Sequence, residues 1–135
     1  SSLVGSEMCI RDSVYIAPGG RHLEVRRMGD GSHVIKLNDM PPIGGLKPCA
    51  NIMYDSLTGS GYDEIVCVVL TGMGADGTNG ILSLEKSKPI HVIAQDAQSC
   101  VVYGMPKAIA EAGVVDEVVS LNQVAKTITK NVGEK

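Results

Sequence analysis

Phenylalanine and tryptophan are both absent from the 135-residue chain, and tyrosine occurs only four times. A core must therefore be assembled from Val, Ile, Leu, Met and Ala. Apolar residues make up 44% of the sequence, enough for a buried interior and too many for a disordered chain. Charge is also scarce, with a net value of -3 and no Lys/Arg cluster suited to a phosphate backbone, which argues against a nucleic-acid partner. No apolar run approaches the roughly 18 residues of a membrane span, so no membrane insertion is expected. Residues 1–13 lack a basic stretch followed by an apolar one, the mark of a secretory signal. The four cysteines, Cys9, Cys49, Cys67 and Cys100, form no C-x-x-C pair, and there are only three histidines. No metal site and no cofactor are expected from that set. Reduced thiols in a cytoplasmic protein are the simplest assignment, with Cys67 acting as a small buried hydrophobe.

The length fits one domain. The first thirteen residues, SSLVGSEMCIRDS, show no periodicity and no turn chemistry leading into Val14. Part of this stretch resembles one reading frame of a sequencing-library adapter, so residues 1–13 are expected to be a non-native tail, the alternative being a genuine N-terminal arm. Residues 14–135 are then expected to be the C-terminal portion of a larger domain.

What is present reads as alternating elements. VYIA (14–17) is a short β-rich run stopped by Pro18-Gly19-Gly20. HLEVRR (22–27) and HVIKL (33–37) flank Gly29-Asp30-Gly31 and predict a hairpin with one solvated face. Residues 38–48, rich in Pro and Gly, predict an ordered loop. Cys49, Ile52, Met53 and Leu57 recur at helical spacing and end at a glycine. EIVCVVLT (64–71) predicts a strand buried on both faces. Helix is expected over 78–88, strand over 90–95, and helix from Met105-Pro106 to a C-cap at Gly113. A short strand over 114–120 and an amphipathic helix N-capped by Asn122 complete the pattern. The alternation predicts an α/β fold, doubly wound, with a mostly parallel sheet and an antiparallel N-terminal hairpin.

The stretch VVLTGMGADGTNGI (68–81) carries Gly72-Met73-Gly74-Ala75-Asp76-Gly77, spelled as G-x-G-x-x-G between a strand and a helix. Asp96, at the end of the next strand, stands where a ribose-binding carboxylate would be expected in a dinucleotide site. Electrostatics oppose that assignment. The pyrophosphate would sit at the helix N-terminus, where Asp76 already places a negative charge, and two such anions repel by about 1 kcal/mol at 4 Å even in water. An acid there can instead cap the helix, or serve as the acid of a Ser-His-Asp triad at the carboxyl end of a parallel strand. Position alone leaves these two roles open.

Taken together, VYIAPGGRHLEV (14–25), PCANIMYDSL (48–57), the glycine stretch and VIAQDAQSCVVYGMPKAIAEAGVVDEVVSLNQVAKTI (92–128) resemble the catalytic domain of the chemotaxis protein-glutamate methylesterase family, CheB. The combination of LTGMG-x-DG with AQD…SCVVYGMP is specific to it. The resemblance implies hydrolysis of methyl-glutamate on the cytoplasmic signalling helices of chemoreceptors by a Ser-His-Asp mechanism, with glutamine deamidation in many members. It maps the triad aspartate onto Asp76. It places Gly72, Met73 and Gly74, and Gly104, Met105 and Pro106, in the active-site wall, while leaving a core role open for Met73 and Met105. The family's serine and histidine motifs do not occur in the sequence, and Ser6, His22, His33 and His91 match neither motif. The resemblance therefore implies that both motifs lie upstream of Val14, together with a receiver domain, and that the chain is inactive by itself. A nucleotide-binding module and a non-catalytic interaction domain are the alternatives.

Overall fold

The computed structural model describes residues 7–9, by their backbone, and residues 13–132. Among the described residues six strands and four α-helices occur in the order β1 (Glu7–Cys9), β2 (His22–Arg27), β3 (His33–Asn38), α1 (Ala50–Ser56), β4 (Ile65–Val69), α2 (Thr78–Glu85), β5 (Ile90–Gln95), α3 (Met105–Glu111), β6 (Glu117–Val119) and α4 (Val124–Val132). Two three-stranded sheets form. One is antiparallel in the order β1-β3-β2, and the other is parallel in the order β4-β5-β6.

The hairpin is set by its turn. Gly31 adopts φ 89°, and the Asp30 carboxylate accepts from the Ser32 amide at 2.9 Å and hydroxyl at 2.6 Å. These bonds hold the exposed Asp30 carboxyl below its ordinary range, the hydroxyl bond contributing most. The turn fixes a register in which Leu23 faces Leu37 and Val25 faces Ile35, all four buried on one side. Against that side lie Tyr54 of α1 and Leu57, the first residue of a 3-10 turn that continues it.

In the parallel sheet β5 is central. Val92 and Ala94 join the main core while Ile93, also buried, points to the opposite face. Ile81 and Leu84 of α2 and Ile109 of α3 fill the main core, and α4 packs across β4 and β5. Helices thus cover both faces, which makes the domain doubly wound as expected.

Several local expectations change. Residues 14–17 join none of the six strands; Val14 and Ile16 are exposed and only Tyr15 packs against the core. Ile16 forms only an isolated β-bridge, and β-propensity does not by itself extend one bridge into a strand. β4 stops at Val69 and is fully buried only on the face of Cys67 and Val69, Val66 and Val68 on the other face being half-buried; it is an edge strand among the described residues. Asn122 does not cap α4; it lies within a 3-10 turn, Leu121–Gln123, that leads into the helix. Residues 7–9, set aside as tail, pair with β3 through Glu7↔Lys36, Met8↔Ile35 and Cys9↔Val34. Backbone pairing tolerates almost any sequence, so this strand is independent of where those residues originate. Ser6 lies outside the described residues.

Candidate active site

The loop after β4 begins with a lock. Gln95, buried at the end of β5, accepts from the Thr71 amide at 2.7 Å through its carbonyl oxygen. Its amide donates to the Ser99 carbonyl oxygen at 2.8 Å. Ser99 in turn donates from its hydroxyl to Asp96 at 2.6 Å and from its amide at 2.9 Å. Those bonds, the hydroxyl one first, hold the half-buried Asp96 carboxyl below its usual range. Asp96 thereby closes its own turn and does not stand free as the ribose ligand that a dinucleotide site requires. Thr71 and Val102 then exchange hydrogen bonds, the hydroxyl donating at 3.1 Å and accepting at 2.9 Å.

This lock lays the loop after β5 directly on the loop after β4. The Gly104 and Met105 amides both donate to the Gly72 carbonyl, at 3.1 and 2.9 Å. A Cβ on Gly104 would lie 2.7 Å from that oxygen and 2.9 Å from the Gly74 nitrogen, so only glycine fits. Gly72, Gly74, Gly104 and Met105 therefore form one packed unit. Met105 rests against Gly72 and the core, Pro106 is buried in the first turn of α3, and Met73 is 84% exposed. The two roles left open for the methionines thus divide: Met73 faces solvent and Met105 packs inward.

Asp76 does something different from what its position beside α2 suggests. Gly77, at φ 93°, is the N-cap of α2 and has no side chain to cap with; Asn51 of α1 accepts from the Gly80 amide in the first turn. The Asp76 carboxylate reaches across to α1 instead. Oδ2 accepts from the Ala50 amide at 2.8 Å, and Oδ1 accepts from the Asn51 amide and the Cys49 thiol, both at 3.2 Å. The expected cap exists, but on the neighbouring helix. Burial, followed by the adjoining carboxylate, pushes the Cys49 thiol above its ordinary value and keeps it a protonated donor. Oδ2 holds one hydrogen bond and retains a free lone-pair direction.

Asp76 borders a groove of about 530 Å³ lined by Tyr15, Leu23, Val25, Ile35, Cys49 and Met53, and contributes the one charge in its lining. None of Gly72, Met73, Gly74, Gly104, Met105 and Pro106 lines this groove. They stand beyond the carboxyl ends of the strands, Gly72, Met73 and Gly74 in the same loop as Asp76.

The three histidines are engaged elsewhere. His22, fully buried, binds the Cys49 amide through Nδ1 at 3.2 Å and the Pro41 carbonyl through Nε2 at 3.0 Å. His33 stacks on Tyr62 with ring centroids 4.2 Å apart and accepts from the Gly61 amide. His91 contacts Glu117 at 2.6 Å. Among the described residues no histidine hydrogen-bonds to Asp76, and no cluster suited to a metal ion occurs. The sequence alone does not single out Gln95, Ser99 or Asn51, nor Cys49 as anything but a helix residue. The visible signal for Gln95 is an amide closing an otherwise apolar strand.

An α/β domain whose fixed carboxylate lies just past the carboxyl end of a parallel strand, beside an apolar groove, belongs to the open-sheet class that carries its chemistry at that end. The sequence matches the CheB methylesterase family over residues 4–128, and the chain belongs to that family. The match takes in most of the residues set aside as tail. A Geobacillus kaustophilus protein named protein-glutamate methylesterase/protein-glutamine glutaminase is 39% identical over 128 residues, covering 95% of this chain and 36% of the relative. A Lawsonia intracellularis protein of the same name is 44% identical over 114 residues, covering 84% of this chain and 31% of the relative. The crystal structure of the Thermotoga maritima CheB methylesterase catalytic domain superposes with a TM-score of 0.79 at 32% identity, over 86% of this chain and 60% of that one. The chain spans about a third of the length of the curated relatives it matches.

Proposed function

We propose that the chain is the C-terminal portion of a chemotaxis protein-glutamate methylesterase and that Asp76 is the acid of its catalytic triad. The observation that carries this is the carboxylate itself: fixed by two backbone amides, with a single hydrogen bond on Oδ2, on a residue that lines the groove. Such a group orients an imidazole and stabilises its cation. In the proposed reaction a serine hydroxyl, its proton taken by that imidazole, attacks the methyl-ester carbonyl of a chemoreceptor glutamate. Methanol departs with the proton, and water then hydrolyses the acyl-enzyme to free glutamate. The serine and histidine are assigned to the part of the methylesterase upstream of this chain. A receiver domain and a cytoplasmic setting belong to the same proposal, and the relatives' names extend it to receptor glutamine deamidation. No described helix is long and apolar enough to cross a membrane.

Two measurements test it. Purified chain mixed with methylated receptor membranes is expected to release no methanol above buffer. The intact gene product is expected to release it, and its Asp76→Asn variant to lose about 10⁴-fold in kcat. Full activity in that variant would refute the triad assignment. Sequencing the intact gene also shows what precedes Val14.

A further inference from the structure

The first turn of α1 has four amides without a partner in its own ladder, and the structure accounts for each. Ile52 bonds back to the Cys49 carbonyl at 3.2 Å, Ala50 and Asn51 bond to Asp76, and Cys49 bonds to Nδ1 of His22 at 3.2 Å. An amide can only donate, so Nδ1 of His22 is unprotonated. The Pro41 carbonyl can only accept, so Nε2 carries the proton and donates at 3.0 Å. His22 is fully buried, with no water-facing alternative for either nitrogen.

We propose that His22 is the positioning residue for Asp76: through the Cys49 amide it fixes the entry of α1, and with it the two following amides that grip the carboxylate. The link is mechanical and short. Cys49 is extended, with φ -114° and ψ 125°, and is the hinge between the loop ending at Pro48 and the first helical residue. Tying its N–H to a ring anchored on Pro41 leaves Ala50 and Asn51 one orientation. That this carboxylate acts on a triad histidine rests on the methylesterase proposal; the grip itself does not.

Two isosteres separate the halves of the ring. Asparagine places an oxygen near Nδ1 and keeps the acceptor for Cys49, whereas glutamine places its amide near Nε2 and keeps only the Pro41 bond. In the wild-type chain, ¹⁵N shifts of the His22 ring are expected to show Nδ1 unprotonated and Nε2 protonated; the opposite tautomer overturns the proposal without any variant. Amide hydrogen exchange, normalised to global stability, should show Ala50 and Asn51 losing protection at least tenfold in His22→Gln but not in His22→Asn. A Leu23→Ala control should lose protection only in proportion to its stability. Equal protection in the two His22 variants refutes the positioning role. In the intact enzyme, His22→Gln should lower kcat by about 10- to 100-fold with KM within about twofold, and His22→Asn should retain most of it. An unchanged kcat in His22→Gln alongside exposed amides refutes the catalytic consequence. An intact wild-type protein without esterase activity refutes the methylesterase proposal and leaves the exchange result standing.

Discussion

At the scale of single residues, Asp76 shows how little a side chain's neighbours in sequence say about its partners. Adjacent to α2, it caps α1, and Asn51 in α1 returns the arrangement by accepting from the Gly80 amide of α2 at 2.8 Å. The start of α2 is thus held by a side chain of α1, and the start of α1 by a side chain of the loop that leads into α2. Asp76→Ala strips an acceptor from two amides and is expected to destabilise the chain by about 2 kcal/mol, read as a lower urea midpoint at unchanged slope. Asp76→Asn keeps one carbonyl oxygen and should cost about half as much. The residue itself was legible in the sequence, through its place in LTGMG-x-DG. Its two amide partners were not, because they come from 25 and 26 residues away and no local spacing encodes them.

Elements are held by contacts that only small or charged residues permit. Gly80 lies in the middle of the α1–α2 contact, where an added Cβ would sit 2.8 Å from the Tyr54 Cβ and 3.0 Å from the Asn51 backbone. Alanine normally stabilises a helix interior by about 1 kcal/mol over glycine. Here the overlap reverses the sign, and Gly80→Ala is expected to destabilise by about 1–3 kcal/mol in a thermal or denaturant melt. On the other side of the domain, Glu117 of β6 accepts from Lys130 and Asn131 of α4 at 2.8 and 2.9 Å and contacts His91 of β5. The Lys130 bond first, then those to His91 and Asn131, lower its carboxyl from 4.5 to about 2. A depressed carboxyl gives stability that is fully present above its unfolded value and is lost as pH falls through the folded one. The Glu117 contribution should therefore disappear between about pH 4.5 and 2, and Glu117→Gln should flatten the melting temperature against pH in that window.

For the whole molecule, the decisive feature is an open sheet. β4, an apolar strand, is an edge among the described residues, and Leu70, Met73, Val101 and Val102 are exposed at or beyond the carboxyl ends of the strands. Unpaired strand edges and contiguous apolar surface promote association. Sedimentation velocity on the purified chain is expected to show concentration-dependent self-association; one sharp monomer boundary across a tenfold concentration range would contradict it. The sequence by itself determined the order of elements from β2 onward, the hairpin turn and the motifs that mark the family, because periodicity, turn chemistry and motif spelling are local properties. It overstated residues 14–17 and the burial of β4, since burial depends on which surface a strand meets. Only the tertiary structure decided that Asp76 serves α1, that His22 stands behind it, and that Gly72 and Gly104 touch. Such pairings are made when packing brings distant backbone donors and acceptors within about 3 Å, and the chain carries no local record of that geometry.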